Sequence, residues 1–208
     1  MVATGDPIEM SDLRGPEAFD QLLRLEQAAR QIYLNQPNFV PGRFQLQPYA
    51  EEVLSRTTGL KPGSPELADR VAVRMQRGQT LEKLLQGNTP PQVSVAIDEA
   101  VLRRVVGGPG VMREQLEHLG VVSELSTIHL GIIPLAYGAH PGLIGTFEYH
   151  EIPSGEASVF FEGGQGEEII ASDQAAVRRF RETVEGLMAV AVTGADARAM
   201  LSEIAAGL

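Results

Sequence analysis

The 208-residue chain contains no cysteine and no tryptophan. Without thiols it can form no disulfide, carry no thiolate nucleophile and build no thiolate metal site. Aromatic residues make up only 5%, so the core must be assembled from Leu, Val, Ile and Ala. Positive charge is scarce. Seventeen Lys and Arg face 27 Asp and Glu, a net charge of −10, and of those cations only Lys61 and Lys83 are lysine. Phosphate backbones and anionic bilayers repel such a chain, so no direct nucleic-acid or membrane partner is expected. No apolar run approaches membrane-spanning length. The opening MVATGDPIEMSD lacks both the basic and the apolar parts of a signal peptide. A cytoplasmic protein is expected, and the Arg, Ala and Gly bias suggests a high-GC bacterial source.

What is present is a core-forming composition, 43% hydrophobic, in a length that suits one domain with a helical extension. Residues 1–14 read as a flexible lead-in and residues 15–208 as a single α+β domain: a helical part over 15–90, a sheet part over 91–165 and two C-terminal helices over 172–207. In the helical part, Gly15-Pro16 opens a helix whose apolar spacing (Phe19, Leu22, Leu23, Ala29, Ile32, Tyr33) runs to residue 34. A short helix starts near Pro48, and Ser64-Pro65 caps a long one carrying Leu67, Val71, Met75, Leu81 and Leu85 inward. Gly78 lies on that inward side, where a missing side chain admits a neighbouring backbone.

Residues 92–97 alternate as a strand, and Asp98 caps the helix that follows. Residues 127–133 form a second strand, expected parallel to the first because a helix intervenes. Residues 146–152 and 158–162 form a hairpin, and the segment 163–166 ends it. The final stripe of Val177, Phe180, Val184, Leu187 and Ala191 marks a helix, and Thr193 with Asp196 suggests a capping box for the last one. The expected architecture is a small mixed sheet of about four strands covered by helices.

Several short patterns occur in one order along the chain. They are Glu26, Pro41-Gly42, Tyr49-Ala50, Arg74 and Arg77, then Asp98-Glu99-Ala100 with Leu102-Arg103-Arg104 and Gly107-Gly108. After these come Gln115-Leu116, Ile133-Pro134, Gly138-Ala139-His140, Gly145-Thr146-Phe147 and Phe161-Glu162. The set resembles an uncharacterised actinobacterial domain that forms the C-terminal part of Xre-type helix-turn-helix regulators. The resemblance covers roughly residues 20–205. The chain departs from the family where Arg43-Phe44-Gln45-Leu46-Gln47 replaces two leucines and Gln-Thr, and it leaves no room before the domain for a helix-turn-helix. The resemblance implies a small companion protein encoded nearby. It also makes members without the DNA-binding head candidates for redeployment in natural-product gene clusters.

No standard catalytic or cofactor motif occurs. Gly163-Gly164-Gln165-Gly166 lacks the Lys-Ser/Thr of a phosphate loop, and Gly107-Gly108-Pro109-Gly110 lacks dinucleotide spacing. No cofactor and no metal site is expected. Glu26 falls on the apolar side of its helix, where a carboxylate is either a pocket charge or half of a buried pair with an arginine. Arg70, Arg74 and Arg77 share one helical stripe, which either grips an oxyanion or pairs with Glu66 and Asp69 in solvent. Glu99 and Arg103 are spaced to pair, and Asp98 is an N-cap or part of a strand-end carboxylate cluster. His129 and His150 sit on strands and, if adjacent, meet Glu148 or Glu162 in an acid/base or zinc arrangement. His140 lies in a Gly/Pro loop of the kind that carries function. Glu162 ends a hydrophobic strand, where it recognises an amine, acts as a base or caps a turn.

From these residues the leading expectation is a stand-alone binding domain for a companion protein or small metabolite, using the Arg74, Glu99 and Glu162 region. The rival is a metal-free enzyme of specialised metabolism catalysing displacement or ring closure. Arg74, Arg77 and Arg103 would hold an anionic leaving group, while Glu26, Glu99, His140 or Glu162 unmask an amine nucleophile. A third reading is a regulator that lost its DNA-binding part and titrates its relatives.

Overall fold

In the computed structural model, residues 10–163 and 166–208 are described. Among them the chain forms seven α-helices and one eight-stranded mixed sheet, in the spatial order β1-β7-β6-β5-β2-β3-β4-β8. The strands are β1 (Leu13–Arg14), β2 (Gln31–Gln36), β3 (Gln92–Asp98), β4 (Ile128–Ile133), β5 (Phe147–Glu151), β6 (Ala157–Gly163), β7 (Gly166–Ile170) and β8 (Val192–Thr193). The helices are α1 (Pro16–Ala28), α2 (Gln47–Thr58), α3 (Pro65–Leu85), α4 (Glu99–Arg103), α5 (Pro109–Val122), α6 (Gln174–Val190) and α7 (Gly194–Ala206). The α+β class is as expected, but the expected four strands are half the observed number.

The parallel centre explains what periodicity missed. β2, β3 and β4 run parallel, in the register Ile32↔Val93 and Val93↔Ile128. Strands covered on both faces carry continuous apolar runs and lose the alternation that marks a half-exposed strand. In residues 31–36 (QIYLNQ) five of the six are buried, and the consecutive apolar residues Ile32, Tyr33 and Leu34 pack alternately into the cores on the two faces. Their apolar spacing continues that of α1 by coincidence, so the expected helix over 16–34 in fact ends at Ala28 and the chain re-enters as the central strand. β1, β7 and β8 are short edge or return strands, two of them only two residues long. Thr193 does not cap α7 with its side chain, as a capping box would require; it pairs with Gly131 at the sheet edge.

One face of the centre packs Ile32, Leu34, Val95, Ile97, Leu130 and Ile132 against the helices of the larger core, which include α5 and α7. α6 covers the other face through Val177, Val184 and Leu187 on Tyr33, Phe147, Val159 and Ile133. Each fully buried Leu, Ile or Val contributes about 1.5–3 kcal/mol by leaving water, which favours this two-sided cover. α1 lies over the antiparallel wing, where Leu22 and Leu25 meet Phe160 and Ile169. Residues 1–9 and 164–165 lie outside the described residues, and with them most of the expected lead-in and part of the break over 163–166. Residues 10–14 are held in place: Met10 and Leu13 pack beside α1, and Asp12 accepts from the backbone of Ala171 and Ser172. Those bonds hold the Asp12 carboxyl below its ordinary pKa.

Candidate functional site

Two polar centres lie on opposite sides of the sheet. The first sits between the β5–β6 wing and helices α1 and α3. Glu148 and His150 point from alternate positions of β5 toward these helices, because side chains two apart share a strand face. Glu26 descends from α1, Arg77 from α3, and Arg43 from the 3₁₀ turn at Gly42–Phe44. Arg77 donates through Nε to Glu26 Oε1 at 3.0 Å, and its Nη2 reaches the same oxygen. Arg43 Nε lies 3.0 Å from Glu26 Oε1, and its Nη2 donates to Glu148. Arg77 also stands 3.6 Å from Glu148.

Charge explains the protonation states. Burial alone would raise the Glu148 pKa, but Arg43 and Arg77 outweigh it and hold the carboxylate ionised, well below its usual range. Burial alone would lower that of Arg77, but Glu148 and Glu26 carry it above the ordinary guanidinium value. His150 has no exposed surface. Burial and the facing Arg43 push its pKa down to about 3, so it is neutral at pH 7. Its Nε2 lies 3.0 Å from Arg43 Nη2, and since a guanidinium can only donate, the ring proton must be on Nδ1. Two carboxylates and two guanidiniums thus balance around a neutral imidazole.

This cluster opens to the surface at a cleft of about 300 Å³ whose lining includes Phe19, Leu54, Val73, Arg74, Arg77 and Glu162. Glu162 is exposed at the end of β6. Arg74 is half-buried on α3, and its Nη1 donates to Gln45 Oε1 at 3.2 Å. α3 can approach so closely because Gly78 faces the 42–44 turn: a Cβ there would stand 2.9 Å from the carbonyl oxygen of Arg43. A separate apolar cleft of about 480 Å³ lies where Phe44, Leu46, Leu81, Leu85, Val121 and Val122 meet.

The second centre is at the C-terminal ends of the parallel strands. Asp98, ending β3, caps α4 through the amide of Ala100 and faces His140 Nε2 at 3.0 Å. Glu99 holds Arg103 with one oxygen and accepts from the amide of Leu135 with the other, at 2.8 Å. Asn35, ending β2, donates to the carbonyls of Gly142 and Gly145. Ligands of open α/β sheets commonly sit at such strand ends. Here the loop over 134–145 occupies the position, and Asn35, Asp98 and Glu99 are committed to holding it. On the outside of the same loop, Leu135, Tyr137, Leu143 and Ile144 are exposed, Ile144 to 92%.

The candidate residues therefore divide. Glu26, Arg74, Arg77 and Glu162 come together on the α1–α3 side, and Glu26 is half of the buried pair with an arginine. Arg70 takes the solvent alternative, 3.6 Å from Glu66. Glu99, Arg103 and His140 belong to the strand-end centre, so the expected Arg74, Glu99 and Glu162 region is not one region. His129 and His150 are not neighbours, because β2 and β3 stand between β4 and β5, and His129 is exposed. Among the described residues no three His, Asp or Glu side chains could together hold a metal ion. Arg43, Glu148 and Asn35 were not singled out for these roles. Glu148 was expected only as an alternative partner of His150, from which it stands 3.6 Å, and Arg43 carried no local signal of a buried ion pair.

Among the described residues no helix is long and apolar enough to cross a membrane. No curated protein matches the sequence. A family model does, over residues 19–203, and its span takes in both polar centres. The chain belongs to the family of the domain of unknown function DUF5753.

Proposed function

We propose that the chain is a stand-alone binding domain that receives a small molecule in the α1–α3 cleft and works with a small companion protein, like the effector half of an Xre-type regulator. One observation carries the reading: cationic and anionic side chains from a helix and a strand converge at the mouth of a cleft with apolar walls. Arg74 and Arg77 supply the cations, Glu162 the carboxylate, and Phe19, Leu54 and Val73 the walls. Small-molecule sites characteristically combine apolar lining with a few placed polar groups, and about 300 Å³ suits a small metabolite. The exposed side chains of the 134–145 loop support the companion, since clustered apolar exposure marks interaction surfaces.

The test is a small-molecule screen read by amide chemical shifts of the full chain. Binding should move the resonances of Leu54, Asp69, Val73, Glu162 and Glu167. Saturable shifts confined to other parts of the surface would overturn the assignment of the cleft.

A second reading is favoured by the exposure of Glu162 in the same cleft as two guanidiniums: metal-free displacement on a small substrate. A substrate amine would attack carbon, forming a C–N bond as a C–O bond breaks. The electron pair leaves with the oxyanion, which an arginine stabilises, and the amine proton passes to the carboxylate of Glu162. Mass spectrometry of an amine bearing a β-sulfate or β-phosphate ester, incubated with the protein, should then show release of the sulfate or phosphate, and Glu162→Gln should slow that release about 10²-fold or more. An equal rate for the Glu162→Gln variant would remove this reading.

A further inference from the structure

Arg74 differs from the other cations near the cleft. Arg43 and Arg77 each contact Glu26 and Glu148, and Arg70 stands against Glu66. Among the described residues Arg74 has no carboxylate within ion-pair distance, and its one hydrogen bond goes to the neutral amide oxygen of Gln45. That amide is itself fixed, because Gln45 is buried and donates through Nε2 to the carbonyl of Val40 at 2.7 Å. The Arg74 side chain lies across Gly42, where an added Cβ would come within 3.4 Å of its Nε. The guanidinium is thus held in place before any ligand arrives, with most of its five N–H donors uncommitted. Burial is the largest influence on it and weakens its hold on the proton, while Glu162 acts only from a distance. A partly desolvated cation without a contacting counter-charge is unfavourable alone, and a bound anion relieves it.

We propose that Arg74 anchors an oxyanion subsite, and that the ligand of the α1–α3 cleft carries a carboxylate, sulfate or phosphate group bound there by paired N–H···O bonds. The inference rests on the cleft being the binding site and specifies the chemistry it selects. Arg77 cannot be the anchor, because its donors already serve Glu26 and Glu148. The planar fork matters as much as the charge, since an ammonium cannot present two parallel donors to two oxygens.

The experiment titrates the full-length protein with inorganic sulfate and, separately, inorganic phosphate, at constant ionic strength with chloride as the balancing ion. The readouts are the arginine side-chain Nε–Hε resonances and the melting temperature. Saturable movement of the Arg74 resonance with a rise in melting temperature is expected. Arg74→Gln should weaken the apparent affinity at least tenfold and, in chloride buffer without sulfate or phosphate, melt no lower than the parent. Arg74→Lys should also lose most of the affinity while keeping the charge. An undiminished response in either variant would overturn the subsite, as would no saturable response in the parent or a lowered melting point of Arg74→Gln in chloride buffer without sulfate or phosphate. A panel of uncharged and cationic fragments separates the two claims. Fragment shifts at Leu54 and Val73 in both parent and Arg74→Gln, without an anion response, would keep the cleft and discard the anchor. Silence toward anions and fragments alike would discard both.

Discussion

The two polar centres use the same residue types in opposite ways. Between the sheet and helices α1 and α3, charge is satisfied by charge: Glu26, Glu148, Arg43 and Arg77 are nearly buried and contact one another. At the strand ends, polar groups are satisfied by backbone: Asn35 holds two carbonyls, and Asp98 and Glu99 each hold an amide. The first arrangement brings together four elements distant in sequence (α1, the 42–44 turn, α3 and β5) and leaves one further cation, Arg74, at its edge. The second pins one loop and leaves its apolar side chains outside. A buried ionic cluster is costly to break but adds little net stability compared with apolar packing. Its retention at the floor of a cleft therefore fits function better than stability, whereas the strand-end bonds read as structural clamps.

The sharpest way to break the comparison is to remove one carboxylate from the cluster. Glu148→Leu leaves Arg43 and Arg77 with a net excess charge in a low-dielectric site, and such a loss costs about 3–5 kcal/mol. For a chain of this length that is a fall of roughly 10 °C in melting temperature by calorimetry. Asp98→Ala removes a cap and a histidine partner and should cost about 1–3 kcal/mol. If Asp98→Ala proved the more damaging of the two, the assignment of roles to the centres would be reversed.

Acid separates the centres next. His150 is neutral when folded, with a pKa near 3, but titrates near 6.5 when unfolded. Its folded pKa is depressed, so the unfolded state binds the proton first, and stability falls with pH from about 6.5 downward. Glu148 is also depressed, and its contribution is lost as pH falls below the unfolded value of 4.5. Both effects have the same sign. The urea midpoint should decline from pH 7 to pH 4, with a slope approaching about 1.4 kcal/mol per pH unit for each proton taken up. His150→Gln should flatten the upper part of that decline. A midpoint constant between pH 7 and pH 4.5 would contradict the neutral histidine.

Close packing gives a smaller test on each side. A Cβ on Gly78 would meet the carbonyl of Arg43 at 2.9 Å, and one on Gly142 would meet Asn35 Oδ1 at 2.6 Å and Leu187 Cδ1 at 2.9 Å. Gly78→Ala and Gly142→Ala should each cost about 1–3 kcal/mol through overpacking. Only Gly78→Ala should displace Arg43 and move the resonance of Arg74.

These centres were unequally legible in the sequence. Gly78 stood on the inward side of α3, and a neighbouring backbone does approach there. Asp98 and Ser64 cap their helices as their positions suggested. Glu26 on an apolar stripe left a pocket charge or a buried pair with an arginine open, and it contacts two arginines. β2 was misread because a doubly covered strand has no alternation, and β1 and β8 because two-residue strands carry no period at all. Arg43 was missed, and Glu148 was expected beside His150 but not in an ion-pair cluster, for a different reason. Their importance comes from tertiary meeting, Arg43 after a Pro-Gly turn and Glu148 on a strand, and no local spacing links them. His140 was found as a loop histidine, but its commitment to Asp98 depends on the strand ends that only the sheet order brings beneath it.

The smallest effect sharpens the contrast at the strand ends themselves. Arg103 pairs with Glu99, but its side chain is 53% exposed while that of Glu99 is 8% exposed. Water can replace the guanidinium, and a solvent-side ion pair contributes about 0–1 kcal/mol. Arg103→Ala should therefore lower the urea midpoint only marginally and leave the loop in place. Glu99→Ala removes the acceptor for the Leu135 amide as well and should cost about 1–3 kcal/mol. The asymmetry follows from the geometry: one oxygen of Glu99 faces solvent chemistry and the other holds the loop. If Arg103→Ala cost as much as Glu99→Ala, the strand-end centre would be an ionic cluster like the first, and the distinction between the two sides of the sheet would fail.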